Sequence, residues 1–500
     1  MNKPYFYFLK ASQPNTAIIP KPQVNTSKTS YIPCPDCKGQ GRVNRGLSKK
    51  ARLRYQKALD AYTRSGAQGP APAKPKAHLQ PCSTCLASGL IPAAQPPVPD
   101  SDTYPHVAII GAGIGGMALA VACLHRGIPF TVYERDLHFD SRSQGYGLTL
   151  QQAHTALKGF GIHELQDGVV STRHIAHQPD GTVIGEWGMR KWDTGTNTTS
   201  KKTNIHIARQ ALRRALLDQL GDAHQIQWGH QLLEIKQTED GAIQLDFQVA
   251  GNVKSASAHL VVGADGIRST LRTMLLKPQQ LPLQYLGCIV ILGICDLQNL
   301  NHLKNPLLDS ATVFQTADGT ARMYMMPYDR DRVMWQFSFP IAEDEAKSLS
   351  AQGPEALKKE VQRRTPWHEP IPEVISETDP AFISGYPVYD RELLTPEMAT
   401  NWGNCTLLGD AAHPMSPFKG QGANQALLDA LALAKRITKD CNLSKSFKEI
   451  NLRKKILSKF ETEMLQRSAL KVTASAKAAA VLHSEKVLQE RDGPRGGGVK

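Results

Sequence analysis

The run HVAIIGAGIGGMALAVACLHRGIPFTVYER, residues 106–135, constrains the fold of this chain more than any other segment. Its first five residues include a short unbroken apolar run, the texture of a strand buried on both faces. GMALAVACLHRG reads as a helix and PFTVYER as a second strand. Between strand and helix stand Gly111, Gly113 and Gly116 in G-x-G-x-x-G spacing. Alone that spacing fits many glycine-rich turns; in this position each glycine has a task. Gly111 permits the tight turn, Gly113 lets backbone approach a pyrophosphate, and Gly116 lets helix and strand lie close. The free N–H groups of the helix start then face the anion. Glu134 closes the second strand, where its carboxylate accepts hydrogen bonds from an adenosine ribose and repels a 2′-phosphate. FAD or NAD is therefore expected, not NADP. Val107–Leu124 is long enough to cross a membrane, but its glycines belong to this turn and no transmembrane segment is expected.

A chain of 500 residues has room for two or more domains. Its net charge of +14 sits mostly at one end: residues 1–105 carry fifteen Lys/Arg against four Asp/Glu, leaving a near-neutral body. Nine cysteines in so long a chain exclude a secreted disulfide scaffold. No secretory signal is visible, and reduced thiols point to a cytoplasmic protein. The first acidic residue is Asp36, which leaves an organelle-targeting reading open.

The pattern divides into a disordered tail (1–30), a cysteine-rich module with a basic helical insert (31–92), a Pro/Ala-rich linker (93–104) and a main body (105–440). Helices (441–485) and a flexible tail (486–500) follow. Asp-Gly pairs at 180–181, 240–241 and 318–319 separate strand-like runs. An antiparallel sheet is thus expected within residues 172–250 and 281–395, interleaved with a Rossmann-like α/β domain.

Two further stretches repeat the strand-then-turn theme. In HLVVGADGIRSTLR (259–272) an apolar strand runs into Asp265, which either holds a ligand hydroxyl or caps the following helix. In CTLLGDAAHPMSPFKGQGANQALLDA (405–430) a strand ends at Asp410. Pro414 and Pro417 stiffen the link, Gly420 and Gly422 clear space for a flat object, and the helix from Gly422 aims its positive end there. A ring system that becomes anionic on reduction suits such a place.

The ordered set GAGIGG…YER, GADGIRS and GDAAHPMSPFKGQGAN resembles the class A (single-component) flavoprotein monooxygenases, which include aromatic hydroxylases and tetracycline-inactivating enzymes. The match covers residues 106 to about 440. The resemblance implies that Gly111, Gly113, Gly116 and Glu134, with Arg135 beside them, hold the ADP half of FAD. It places Asp265 near the pyrophosphate and NAD(P)H, and Asp410 at the ribityl or pyrophosphate portion. Gly422, Ala423 and Asn424 would lie along the isoalloxazine, with Arg209 and Arg142 as further FAD contacts. Lys419 departs from the small residue common in relatives. A single dinucleotide fingerprint suits a family in which NAD(P)H binds transiently. The implied activity is hydroxylation or epoxidation of a small aromatic or polycyclic substrate with NAD(P)H and O₂, through a C4a-hydroperoxyflavin. No catalytic base is named. Met323, Met325, Trp335 and Phe337 are candidate substrate-lining residues, or ordinary core. A related reductase or halogenase carries the same FAD motifs.

CPDCKGQGR and CSTCLASGL supply Cys34, Cys37, Cys82 and Cys85. Each C-x-x-C is followed by glycine, as in a zinc knuckle, and the first resembles the C-x-x-C-x-G-x-G repeats of the DnaJ-type chaperone zinc domain. Two readings stand: one four-thiolate zinc site, or free thiols with a dithiol redox pair. The basic insert SKKARLRYQKALDAYTRSG is compatible with an acidic protein or nucleic-acid partner, without the interleaved aromatics that stack on bases. In the rival reading from another class, the chain is a zinc-dependent binding protein with a vestigial flavin fold.

Overall fold

A computed structural model describes residues 29–44, 46–75, 79–141, 145–189, 204–221, 225–239, 241–276, 281–444 and 446–494. Arg142 and almost all of the expected tail at 1–30 lie outside the described residues. Five apolar strands form a parallel sheet in the spatial order Ile226–Trp228, Phe130–Glu134, Val107–Ile110, Leu260–Gly263, Cys405–Leu407. Its register puts Ile110 opposite both Tyr133 and Gly263, and Gly263 opposite Leu407. Three segments far apart in the chain therefore end at one level, and the turns after them emerge along one edge. The central strand is also where the connections reverse direction, the place at which open α/β sheets bind ligands. All of the Ile114–Leu124 helix is buried, packed between the Arg209–Leu220 and Gly422–Cys441 helices.

A seven-stranded, mostly antiparallel sheet forms the second layer. Its order is Val183–Trp187, Arg173–His177, Thr312–Ala317, Arg322–Pro327, Arg332–Pro340, Leu283–Asp296, Ile383–Arg391. Gly181, Gly241 and Gly319 of the Asp-Gly pairs all have positive φ, between 82° and 94°. The expected extent of this sheet needs correction at 205–250. Ile226–Trp228 pairs with the open edge of Phe130–Glu134 in the parallel sheet. Gln231–Gln237, Ile243–Val249 and Asn252–Ala258 form a separate three-stranded meander, and Ile205–Ala208 joins a small sheet with Gly147–Leu150 and Val169–Val170. Alternation along a strand marks its buried face but not the edge it will pair with.

Met323, Met325, Trp335 and Phe337 are not lining residues. Each is 0% exposed, in the core between the seven-stranded sheet and the helices Glu343–Ala351, Pro354–Arg364 and Ile371–Ser376. With side chains alternating along a strand, it is Arg322, Tyr324 and Met326 that face the other way, where Met326 and Tyr324 pack with Ala208 and Met334.

In the cysteine-rich module, Ser30–Pro33 pairs with Leu90–Ala93, and Arg42–Asn44 with Leu79–Pro81. The basic insert forms the Lys49–Arg64 helix, capped by Ser48 Oγ, which accepts from the Ala51 N–H at 3.2 Å; none of its residues is buried. Away from that solvated helix the module sits on the body. Gln40 Nε2 donates to the Lys435 carbonyl at 3.0 Å on the Gly422–Cys441 helix, and the Tyr31 ring lies 5.5 Å from that of His125. Among the described residues no helix is long and apolar enough to cross a membrane.

Candidate functional site

The turns at the edge of the parallel sheet enclose a trough of about 430 Å³, within the usual size of a small-molecule site. Of the residues singled out by sequence, Gly111, Gly113, Glu134, Arg135, Arg209, Asp265, Asp410, Gly422 and Ala423 line it. Gly116 and Asn424 do not. Gly116 lies behind the turn, where a Cβ would come within 1.9 Å of the Gly111 carbonyl oxygen. Asn424 is fully buried and acts as a strut: Oδ1 accepts from the Gln151 and Ala153 N–H groups at 2.9 and 3.2 Å, and Nδ2 donates to the Thr149 and Gly420 carbonyls, both at 2.8 Å.

At the first end of the trough Gly111 adopts φ 105°, pressed against Ala264 of the neighbouring turn, and the Ile114–Leu124 helix starts at Gly113 with no side-chain cap. Glu134 braces this loop: Oε2 accepts from the Ala112 N–H at 2.6 Å and Oε1 from the Asp136 N–H at 3.0 Å. In the middle, Asp265 takes the capping role. Its Oδ2 accepts from the Thr270 and Leu271 N–H groups at 2.7 and 3.3 Å, capping the Thr270–Leu275 helix, while Oδ1 is buried with no partner. Burial raises this carboxyl above the usual range, against the pull of those hydrogen bonds.

At the far end Asp410 opens into the trough yet lies deep below the outer surface. Burial raises its carboxyl, with His413 and Arg209 pulling it back. The Gly422–Cys441 helix begins here, again with no side-chain cap. Two bare helix N-termini thus face one trough, and both favour anionic groups. The Asp410 turn is held from behind by Arg272, whose Nη1 donates to the Ala411 and Ala412 carbonyls, each at 2.9 Å.

Sequence reasoning missed Arg213, which lines the trough and donates from Nε to the Ala112 carbonyl at 3.1 Å. Its signal was available: it lies one helical turn after Arg209 on the same face. Also missed was Asp429, buried on the Gly422–Cys441 helix. Its Oδ2 accepts from the Gly409 N–H at 2.9 Å and meets His413 Nε2 at 2.7 Å, and its Oδ1 is paired with Arg467. Beyond the trough, Phe418 packs against Cys288, Val290 and Val388 on the inner face of the seven-stranded sheet.

The four module cysteines converge as well. Their sulfurs lie within 4.8 Å of one another, Cys34 from Cys82 at 3.9 Å and Cys37 from Cys85 at 3.7 Å.

Residues 104–442 match the family model of the FAD binding domain. The chain is 29% identical over 346 residues to the aurachin C monooxygenase/isomerase of Stigmatella aurantiaca, covering 67% of this chain and 82% of that protein. It is 28% identical over 402 residues to the FAD-dependent monooxygenase thnD of Trichoderma harzianum, covering 74% and 92%. Klebsiella pneumoniae HpxO, solved with FAD and uric acid, shares the fold with a TM-score of 0.62 at 21% identity, covering 78% of this chain and 93% of that one. The 2,6-dihydroxypyridine-3-hydroxylase of Arthrobacter nicotinovorans does so at 0.62 and 18%, covering 77% and 94%. With the trough, its three converging turns and this match over most of its length, the chain belongs to the FAD-binding-domain family and is an FAD-dependent monooxygenase.

Proposed function

We propose that the trough holds FAD at full length, with NAD(P)H and O₂ as co-substrates, and that a small aromatic or polycyclic compound is hydroxylated or epoxidised beyond its ring end. Gly111, Gly113, Glu134 and Arg135 would hold the ADP half. Arg209, Arg213, Asp265 and Asp410 would line the pyrophosphate and ribityl stretch, and Gly422 and Ala423 the isoalloxazine end. FAD, when bound, supplies the hydride-accepting and oxygen-activating chemistry. The chain's own residues orient and polarise. The uncapped N–H groups from Gly422 onward would stabilise negative charge on a ring held at this end. Phe418 and the inner sheet face keep water from the reacting centre.

The observation that carries this reading is the single trough joining three distant turns beneath two bare helix ends. The test is the purified protein itself. Bound FAD, NAD(P)H oxidation stimulated by substrate, and O₂ consumption matched by hydroxylated product support it. A colourless protein that cannot be reconstituted with FAD refutes it, and hydrogen peroxide as the only oxygen product across a broad substrate panel refutes hydroxylation.

Cys34, Cys37, Cys82 and Cys85 fit a structural zinc ion. Zinc–sulfur bonds of about 2.3 Å make a tetrahedron with edges of about 3.8 Å. Two sulfur pairs, 3.9 and 3.7 Å apart, match such edges and are too long for disulfides. Backbone N–H groups of Gly41 and Gly89 donate to Cys37 and Cys85 sulfurs at 3.1 and 3.2 Å, as thiolates require. Nearby Arg126, 2% exposed, leaves Nε and Nη2 without partners and feels the charge at Cys37. A dianionic zinc tetrathiolate would compensate it.

A further inference from the structure

Two cations of the flavin body stand against the four-cysteine cluster with no acid to answer them. Arg126 follows the Ile114–Leu124 helix and is 2% exposed. Its Nη1 donates to the Ala122 carbonyl at 3.0 Å, while Nε and Nη2 are buried without partners. Lys435 lies half-buried on the Gly422–Cys441 helix, at the point where the module touches it. Gln40 makes that contact: its backbone N–H donates to the Cys37 carbonyl at 3.0 Å and its side chain to the Lys435 carbonyl. Among the described residues no carboxylate pairs with either cation. Burial pulls both below their usual pKa values, and Cys37 pulls both back.

Four protonated thiols offer these cations nothing. A divalent metal that displaces the four thiol protons leaves a centre of net charge −2, one negative charge for each cation. Neither cation then has to be carried bare in the interior, which is costly. Their positions matter as much as their charge. Ile114–Leu124 and Gly422–Cys441 pack on each other, and the N-termini of both face the trough. Arg126 stands just past the far end of the first helix, and Lys435 in the latter half of the second. The cysteine cluster and the trough therefore grip opposite parts of one helix pair.

We propose that Arg126 and Lys435 complete the zinc centre from outside the module, and that zinc and FAD consequently bind cooperatively. With metal in place, the two cations hold both helices in the seat that presents their N-termini to FAD. Without it, their bare charge favours shifts of the helix pair toward solvent, and FAD has to reverse those shifts on binding. Each ligand thus favours the same state of the pair, and the coupling is reciprocal. This rests on the zinc and FAD readings above, and adds the partners of the metal centre and its effect on the trough.

The test titrates FAD into flavin-stripped, reduced full-length protein and reads binding from flavin fluorescence, with zinc bound and again after its removal by EDTA. Zinc-free wild type is expected to bind FAD about 5- to 100-fold more weakly. Conversely, EDTA at equilibrium should take zinc from FAD-free protein at a correspondingly lower concentration than from FAD-loaded protein. The double variant Arg126→Met, Lys435→Met should hold zinc more weakly, and its FAD affinity should differ less than about twofold between the two metal states. Equal FAD affinity with and without zinc in wild type overturns the proposal, with no variant needing to fold. So does a coupling that survives undiminished in the double variant, which would trace it to folding of the module rather than to the two cations. The readings fail separately. Protein that never holds metal sinks the zinc assignment and this proposal with it, whereas metal held beside an FAD affinity blind to it sinks this proposal alone.

Discussion

Asp429 accepts the backbone N–H of Gly409 at 2.9 Å, tying the turn that carries Asp410 to the helix whose N-terminus completes the trough. The same carboxylate is shared with His413 and Arg467. Asp429→Ala leaves two polar partners and an amide unsatisfied in the interior, so it is expected to cost about 3–5 kcal/mol and to release FAD. Asp429→Asn keeps an acceptor for Gly409 and should lose less. Denaturant unfolding alongside flavin content checks both; an Asp429→Ala protein that stays yellow at wild-type stability contradicts the clamp.

Gly116 and Gly113 separate packing from binding. A methyl at Gly116 would fall 1.9 Å from the Gly111 carbonyl oxygen, so Gly116→Ala must push helix from strand, at a cost of about 3 kcal/mol. At Gly113 the nearest atom is 3.9 Å away, so Gly113→Ala should fold normally. It should still bind FAD at least ~10-fold more weakly, because the methyl stands where the pyrophosphate approaches. Equal melting temperatures for the two variants would refute the distinction.

Acid should destabilise the fold through histidines kept neutral. His206 is 0% exposed, within 3.1 Å of Thr149 Oγ1 and 2.8 Å of Ser171 Oγ; burial, aided by His174, lowers it to about 3. The unfolded chain takes up this proton first, near the ordinary histidine value. The contribution is therefore complete above about pH 6.5 and fades as pH falls toward 3, losing about 2 kcal/mol by pH 5. His206→Gln should flatten the stability profile between pH 7 and pH 5 by about that amount. A profile unchanged in the variant would mean that His206 is not held neutral.

Metal removal should reach beyond the module. Purified protein is expected to hold one zinc per chain, lost in the double variant Cys34→Ser, Cys82→Ser. Because Gln40 donates to the Lys435 carbonyl, loss of zinc should lower the melting temperature by at least ~5 °C. It should also speed hydrogen exchange along Ala434–Thr438. No metal in freshly purified, reduced protein defeats the zinc assignment; metal loss with unchanged exchange defeats the coupling.

What the sequence revealed was local. A strand, a glycine turn and a helix in sequence define the loop at Gly111 without reference to the rest of the chain, and each Asp-Gly turn is likewise local. The period of two along ARMYMMPY said that Met323 and Met325 share a face, but only the helices packed on that face make them its core, with Arg322 on the opposite face. Pairing edges were equally hidden: Ile226–Trp228 reads like any short strand until the open edge of Phe130–Glu134 takes it. Nothing near Asp429 in the chain announces Gly409 or Arg467 as its partners.

The alignment of Ile110, Gly263 and Leu407 across three adjacent strands limits how this protein can vary. Inserting or deleting a single residue inside any of these strands would move its turn by about 3.3 Å and reverse which way the following side chains point. Changes of length are tolerable only in the connections that start and finish away from this rim. Variants selected for new chemistry should therefore keep all three strand ends in step, however far their remaining loops diverge.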